Sequence, residues 1–297
     1  MIFYALLWKI ISYIMFSFCN SIIRYLVGGS VFFIGAPIPI YIIVMYSYMF
    51  GAILIFPYIF LKKGIYGLKT KYIFLHILRL IFFVSGFLLW GVSFKYMTLV
   101  QVVVISFGSH LLTIVCSVIF LKEYISFRRS IALIISISGV IVTSCNIKVL
   151  HLGEFNNIVF LFPIFASFLF SLEKLMARKL LLLNESSNLL TFYVLFFTVP
   201  VCFIPVMEYG WIEPEINHYF YFLILGFFFI LSIYSHNKAH MCSEVTLLMP
   251  FFPFKLIISC VVSFFFFGEI PNILDIFIWV FVLIFCSFIL FYSDKKN

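Results

Sequence analysis

Charge is scarce in this chain. Only 10% of its 297 residues are Asp, Glu, Lys or Arg, against 65% hydrophobic residues and a mean hydropathy of +1.23. A water-soluble globule built from such a sequence would expose much of its apolar surface, so a soluble fold is excluded and lipid must be the solvent. Long polar stretches are also missing: nothing between the apolar runs exceeds about a dozen residues, which leaves no room for a soluble catalytic or ligand-binding domain. There is no G-x4-G-K-[ST] loop and no H-E-x-x-H, so neither ATP-driven transport nor zinc hydrolysis has support. The seven cysteines (Cys19, Cys116, Cys145, Cys202, Cys242, Cys260, Cys286) stand one at a time with no C-x-x-C pair, and read as small lipid- or core-facing residues.

What the sequence does contain is a series of apolar runs of about 20 residues, each long enough to cross roughly 30 Å of hydrocarbon as a helix. Ten are counted, over residues 6–27, 38–61, 73–93, 99–121, 130–147, 158–177, 189–207, 219–236, 245–268 and 273–292. The first is taken as a span, since no basic residue precedes its apolar run and no small-residue cleavage site follows. The fold class expected is therefore an all-α integral membrane protein.

The net charge of +8 does not point to nucleic acid, because the basic residues are not gathered on one face; they mark alternate connections between spans. With a cytoplasmic N-terminus, twelve fall inside: Lys62, Lys63, Lys69, Lys71, Lys122, Arg128, Arg129, Arg178, Lys179, Lys238, Lys295 and Lys296. Only Lys95 and Lys148 fall outside. Both termini are therefore expected in the cytoplasm. The acids Glu154, Glu208, Glu213, Glu215, Glu269 and Asp275 lie on the outer side under this assignment.

An internal echo divides the chain. Phe120-Leu121-Lys122-Glu123 closes span four and Phe266-Phe267-Gly268-Glu269 closes span nine, the two glutamates 146 residues apart. Five spans separate them, an odd number, so the halves 1–147 and 148–297 are expected to be inverted five-helix repeats. The stretch from Tyr96 through Val142, with Glu123 and Gly139, and its second copy from His240 to Tyr292 resemble the drug/metabolite transporter superfamily in its ten-span permease branch (EamA-type). Within that branch the chain most resembles permeases that take up S-adenosylmethionine in intracellular bacteria, through Asn20 with Arg24, His76-Ile77-Leu78-Arg79, Trp90 and Ser106-Phe107. It departs from them at Gly108-Ser109-His110 and at Pro250-Phe251-Phe252-Pro253 with Lys255. The resemblance implies a secondary transporter in the inner membrane of a bacterium, not an enzyme, with no cofactor. Its expected partners are a small-molecule substrate and the lipid bilayer, with no nucleic acid and a homodimer left open.

Ionisable groups at membrane depth are costly, so each requires a partner, a watery cavity or a route to the interface. Lys255 lies about ten residues into span nine, roughly 15 Å at helical rise, near the midplane; Pro250 and Pro253 just before it suggest a broken helix. Arg79 could grip a carboxylate or phosphate bidentately. Asn20 is central in span one; Arg24, one turn on, is expected to snorkel outward, and Lys9 to anchor the span at the interface. Glu173 is the only acid in the interior of a span, and its neighbour Lys174 should point elsewhere. Trp90, Gln101, Ser106 and His110 could line a cavity, where aromatic rings hold a sulfonium or amine by cation–π contact. His236 and His240 are spaced i,i+4 but lack a further metal ligand. The expected substrate-binding set is Asn20, Arg79, Glu173, Lys255, Trp90 and His110, with no catalytic residue and no metal. Metabolite importer, exporter of amino acids or drugs, and non-transporting membrane protein stay open as readings.

Overall fold

In a hydrocarbon solvent a backbone must satisfy its own N–H and C=O groups, and apolar runs do so as helices. The computed structural model describes residues 2–29, 37–64, 68–122, 126–146, 157–269 and 273–294, and among them no strand occurs. The helices are α1 (Ile2–Leu26), α2 (Ile40–Lys63), α3 (Ile73–Ser93), α4 (Leu99–Ile105), α5 (Phe107–Leu121), α6 (Phe127–Asn146), α7 (Asn157–Leu182), α8 (Ser187–Tyr209), α9 (Ile216–Cys242), α10 (Val245–Leu248), α11 (Pro253–Phe267) and α12 (Ile273–Asp294). A short 3-10 turn, Met249–Phe251, joins α10 to α11. Five of these (α1, α2, α3, α8 and α9) are individually long and apolar enough to cross a membrane, and the α10–α11 pair makes a sixth if counted as one bent span.

Two of the apolar runs are broken. In the fourth, α4 begins on Thr98, whose hydroxyl caps Gln101 N–H while the Gln101 amide oxygen accepts from Thr98 N–H. Gln101, expected in a cavity wall, is thus occupied in this capping box. The break falls at Ser106, whose hydroxyl donates to Val103 O at 2.6 Å. In the ninth run Pro253 opens α11 and cannot donate to the turn before it, so the axis bends by 43°.

Three helix starts repeat at one offset. Leu99 and Val245 open α4 and α10, Phe107 and Pro253 open α5 and α11, and Phe127 and Ile273 open α6 and α12, each pair 146 residues apart. The C-caps obey the same register: Lys122 (φ 53°) and Gly268 (φ 66°) end α5 and α11 in the left-handed region. Gly64 (φ 58°) and Gly210 (φ 87°) end α2 and α8. Helix packing follows suit: α3 lies on α7 as α1 lies on α9, α5 on α7 as α11 on α1, while α2 meets α8 and α6 meets α12.

Polarity is turned inside out. Phe120, Phe265, Phe281, Leu61 and Phe74 point outward, whereas Ser17, Ser21, Asn20, Thr191, Asn237 and Ser259 are buried. Buried hydroxyls bond across helices, as Ser17 Oγ does with Ser259 Oγ at 3.1 Å; such polar contacts hold helices together where lipid outside offers no hydrophobic drive. The α2–α9 crossing depends on two glycines: a Cβ on Gly226 would sit 2.8 Å from Gly51 N and from Ser47 O.

Candidate binding cavity

Five helices and the α4–α5 break line a cavity of about 110 Å³. Each helix supplies one stripe at helical spacing. Helix α1 gives Lys9, Ser12, Tyr13 and Phe16; α3 gives Arg79, Phe83, Phe87 and Trp90; α7 gives Phe170, Glu173 and Lys174; α9 gives Ser232, Ile233, His236 and Asn237. Ser106, at the first helix break, and Lys255, in the first turn after the second, complete the wall. The chain thus interrupts its helices where they reach the cavity, the one place at membrane depth where irregular backbone is tolerated.

Arg79 and Glu173, expected as separate site residues, meet each other. Arg79 Nε donates to Glu173 Oε1 at 2.6 Å and its Nη1 donates to Leu190 O at 3.1 Å, with the guanidinium only 2% exposed. The carboxylate that Arg79 was suited to grip is therefore supplied by the chain itself. Lys174 does not turn away from Glu173 as expected; both line the cavity.

Lys255, 8% exposed, projects among aromatic rings, with its ammonium 4.9 Å from the centroid of Phe16, 5.3 Å from Trp90 and 5.8 Å from Phe252. Asn20 stands behind this group: its Oδ1 accepts from Trp90 Nε1 at 3.2 Å and so sets the indole. The side chain of His110 lies outside the described residues, as does Glu123. His76 stays out of the cavity and packs its ring against Tyr193, centroids 4.4 Å apart.

Two sequence expectations are corrected. Lys9 is no interfacial anchor: it is 3% exposed, and its ammonium donates to His240 Nε2 at 2.8 Å and to His236 Nδ1 at 3.3 Å. The i,i+4 histidines thus present their free nitrogens to a lysine, which requires both rings to be neutral. Arg24 does not snorkel outward either. It reaches α11's end, where Nη2 donates to Glu269 Oε1 at 2.7 Å, Nε donates to Gly29 O at 3.0 Å, and the guanidinium lies 4.3 Å from the Phe267 centroid. Ser263 donates to the other Glu269 oxygen. Tyr13, Phe16, Phe170, Ser232 and Asn237 were not singled out in the sequence; their only mark is a shared helix face with Lys9, Lys174 and His236.

Comparison with known proteins places this geometry. Residues 2–145 match the EamA-like transporter family. An S-adenosylmethionine uptake transporter of Rickettsia felis is 26% identical over 264 residues, covering 89% of this chain and 87% of that protein. The corresponding protein of Rickettsia bellii is also 26% identical, and a riboflavin transporter of Brucella anthropi is 21% identical over 80% of this chain and 82% of its own length. A solved crystal structure, 10% identical, superposes with a TM-score of 0.72 over 97% of this chain and 98% of its own, a likeness of fold.

Proposed function

We propose that the chain is a secondary transporter that carries a small metabolite through the cavity by alternating access, a reading supported by the match of residues 2–145 to the EamA-like transporter family. Its units are the halves 1–147 and 148–297, ten spans in all, inverted with respect to each other and rocking about the cavity. The recurrence of helix starts and C-caps at 146 residues supports this reading. So does the packing, which maps onto itself when the halves are exchanged. The excess of basic residues on alternate connections supports cytoplasmic termini, and the bacterial relatives support an inner membrane.

The observation that carries the proposal is that both broken helices end on one charged cavity, through Ser106 and Lys255. A buried ammonium held by ring faces alone is expensive to keep at membrane depth, and a substrate site is the reason to keep one. S-adenosylmethionine is the candidate cargo, as the names of the Rickettsia relatives suggest. Its carboxylate suits Lys255 and its adenine suits the rings of Phe16, Trp90 and Phe170. Asn20 acts through Trp90, the Arg79–Glu173 pair walls one side, and His110 is carried as a further contact.

The test is uptake. Cells expressing the protein are given labelled S-adenosylmethionine with and without excess unlabelled riboflavin, and internal label is counted for the wild type and Lys255→Ala. Accumulation above empty cells, abolished in Lys255→Ala, is expected. Label that stays at the level of empty cells sinks the importer reading; faster loss from preloaded cells would make the protein an exporter.

A further inference from the structure

Four basic side chains, Lys9, Arg79, Lys174 and Lys255, line the cavity, and among the described residues a single acid, Glu173, faces them. Arg79 holds one oxygen of that acid, and Lys9 is held by the imidazoles of His236 and His240. Lys174 and Lys255 are left. Among the described residues neither makes a hydrogen bond or an ion pair, and Lys255 has only ring faces around it. Lys255 also sits in the first turn of the 15-residue helix α11, where the helix dipole adds further positive potential and disfavours a cation.

Two ammonium groups facing one small cavity with no ion pair of their own among the described residues, one of them at a helix start, beside two further basic groups and a single acid, make a site short of negative charge. We propose that Lys174 and Lys255 form an oxyanion site, taking a carboxylate or phosphate group, with the rings of Phe16, Trp90 and Phe170 beside it holding a planar ring attached to that group. This rests on the transport reading for its purpose but concerns which charge the cargo brings. S-adenosylmethionine satisfies it through its carboxylate alone, and its two cationic centres count against it; a ring-bearing compound with net negative charge fits better. The oxyanion belongs either to the cargo or to a free anion bound beside it, and the two sources are separable by experiment.

The full chain in lipid nanodiscs is titrated with adenosine, adenosine 5′-monophosphate, inorganic phosphate and S-adenosylmethionine, and binding is read as ligand-induced thermal stabilisation. The nucleotide is expected to bind at least tenfold more tightly than adenosine, with S-adenosylmethionine between them. Lys174→Met and Lys255→Met should each erase most of that ratio while leaving adenosine within twofold, and Lys255→Arg should keep it. Phosphate that binds alone and adds to adenosine binding assigns the site to a free anion; phosphate that competes only with the nucleotide assigns it to the cargo. Equal affinities for nucleotide and adenosine, or a ratio untouched by either methionine variant, overturn the proposal. Should the variants fail to fold, the wild-type ratio decides: it must fall as sodium chloride is raised from low to molar concentration, and a salt-independent ratio overturns the site. Uptake of label into proteoliposomes is scored separately. Nucleotide preference without uptake overturns transport and keeps the anion site, and S-adenosylmethionine uptake without anion preference does the reverse.

Discussion

Substituting Glu173→Gln tests the electrostatics of the cavity most directly. The Arg79 guanidinium and the Glu173 carboxylate meet at 2.6 Å with side-chain exposures of 2% and 10%. At an effective dielectric near 20, two unit charges about 4 Å apart attract by about 4 kcal/mol. The amide keeps the shape of the side chain and removes its charge, leaving Arg79 bonded to Leu190 O but uncompensated beside three lysines. Removing one partner of a buried pair costs roughly 3–5 kcal/mol, more than the pair itself contributes, because the survivor stays desolvated. Arg79→Gln should cost a similar amount. The double variant should cost about 2 kcal/mol or less, since neither charge remains. The assay is a double-mutant cycle on unfolding free energy in mixed micelles. Additive single effects, or a Glu173→Gln cost below about 1 kcal/mol, would refute the claim that these two charges compensate each other.

Three further outcomes are expected. Lys9→Met deprives His236 and His240 of their shared donor and should destabilise the α1–α9 contact by about 2 kcal/mol, measured by the same unfolding assay; no change would mean the lysine is solvated rather than bridging. Gly226→Val should prevent stable folding, because its Cβ would lie 2.8 Å from Gly51 N and Ser47 O, whereas Gly210→Ala, with nothing within 4 Å, should cost only the strain of its backbone (φ 87°, ψ 164°), about 1–3 kcal/mol; monodispersity after detergent extraction separates them. In a cysteine-free background, Glu213→Cys should react with an impermeant maleimide in intact cells and Lys69→Cys only after permeabilisation, and the opposite pattern would invert the assigned orientation.

Much of the bundle was legible because each helix is specified locally. A run of about 20 apolar residues in lipid has one way to satisfy its backbone, and every run read from the sequence contains a helix or a broken pair of helices. The breaks at Ser106 and Pro253 were half visible: Pro250 and Pro253 announced the second, while the first has no proline and is marked only by the Thr98–Gln101 capping box that opens α4. The pair of glutamates 146 residues apart has a counterpart in three helix starts and two C-caps at the same offset, because caps and breaks obey backbone geometry even where side chains differ.

Partner choice was not legible. Arg79 reaches Glu173 across 94 residues, Lys9 reaches His240 across 231 and Arg24 reaches Glu269 across 245. A helix that is apolar on nearly every face carries little information about its rotation against its neighbours, so the sequence shows which charges are buried but not which ones meet. Composition and run length determined by themselves that this is a multi-helix membrane protein. Only the tertiary structure decided that Arg79 and Glu173 neutralise each other, that Lys9 is spent on two histidines, and that Lys174 and Lys255 face one cavity with no ion pair of their own among the described residues, because in a low-dielectric interior the state of a charge is settled by the few ångströms around it.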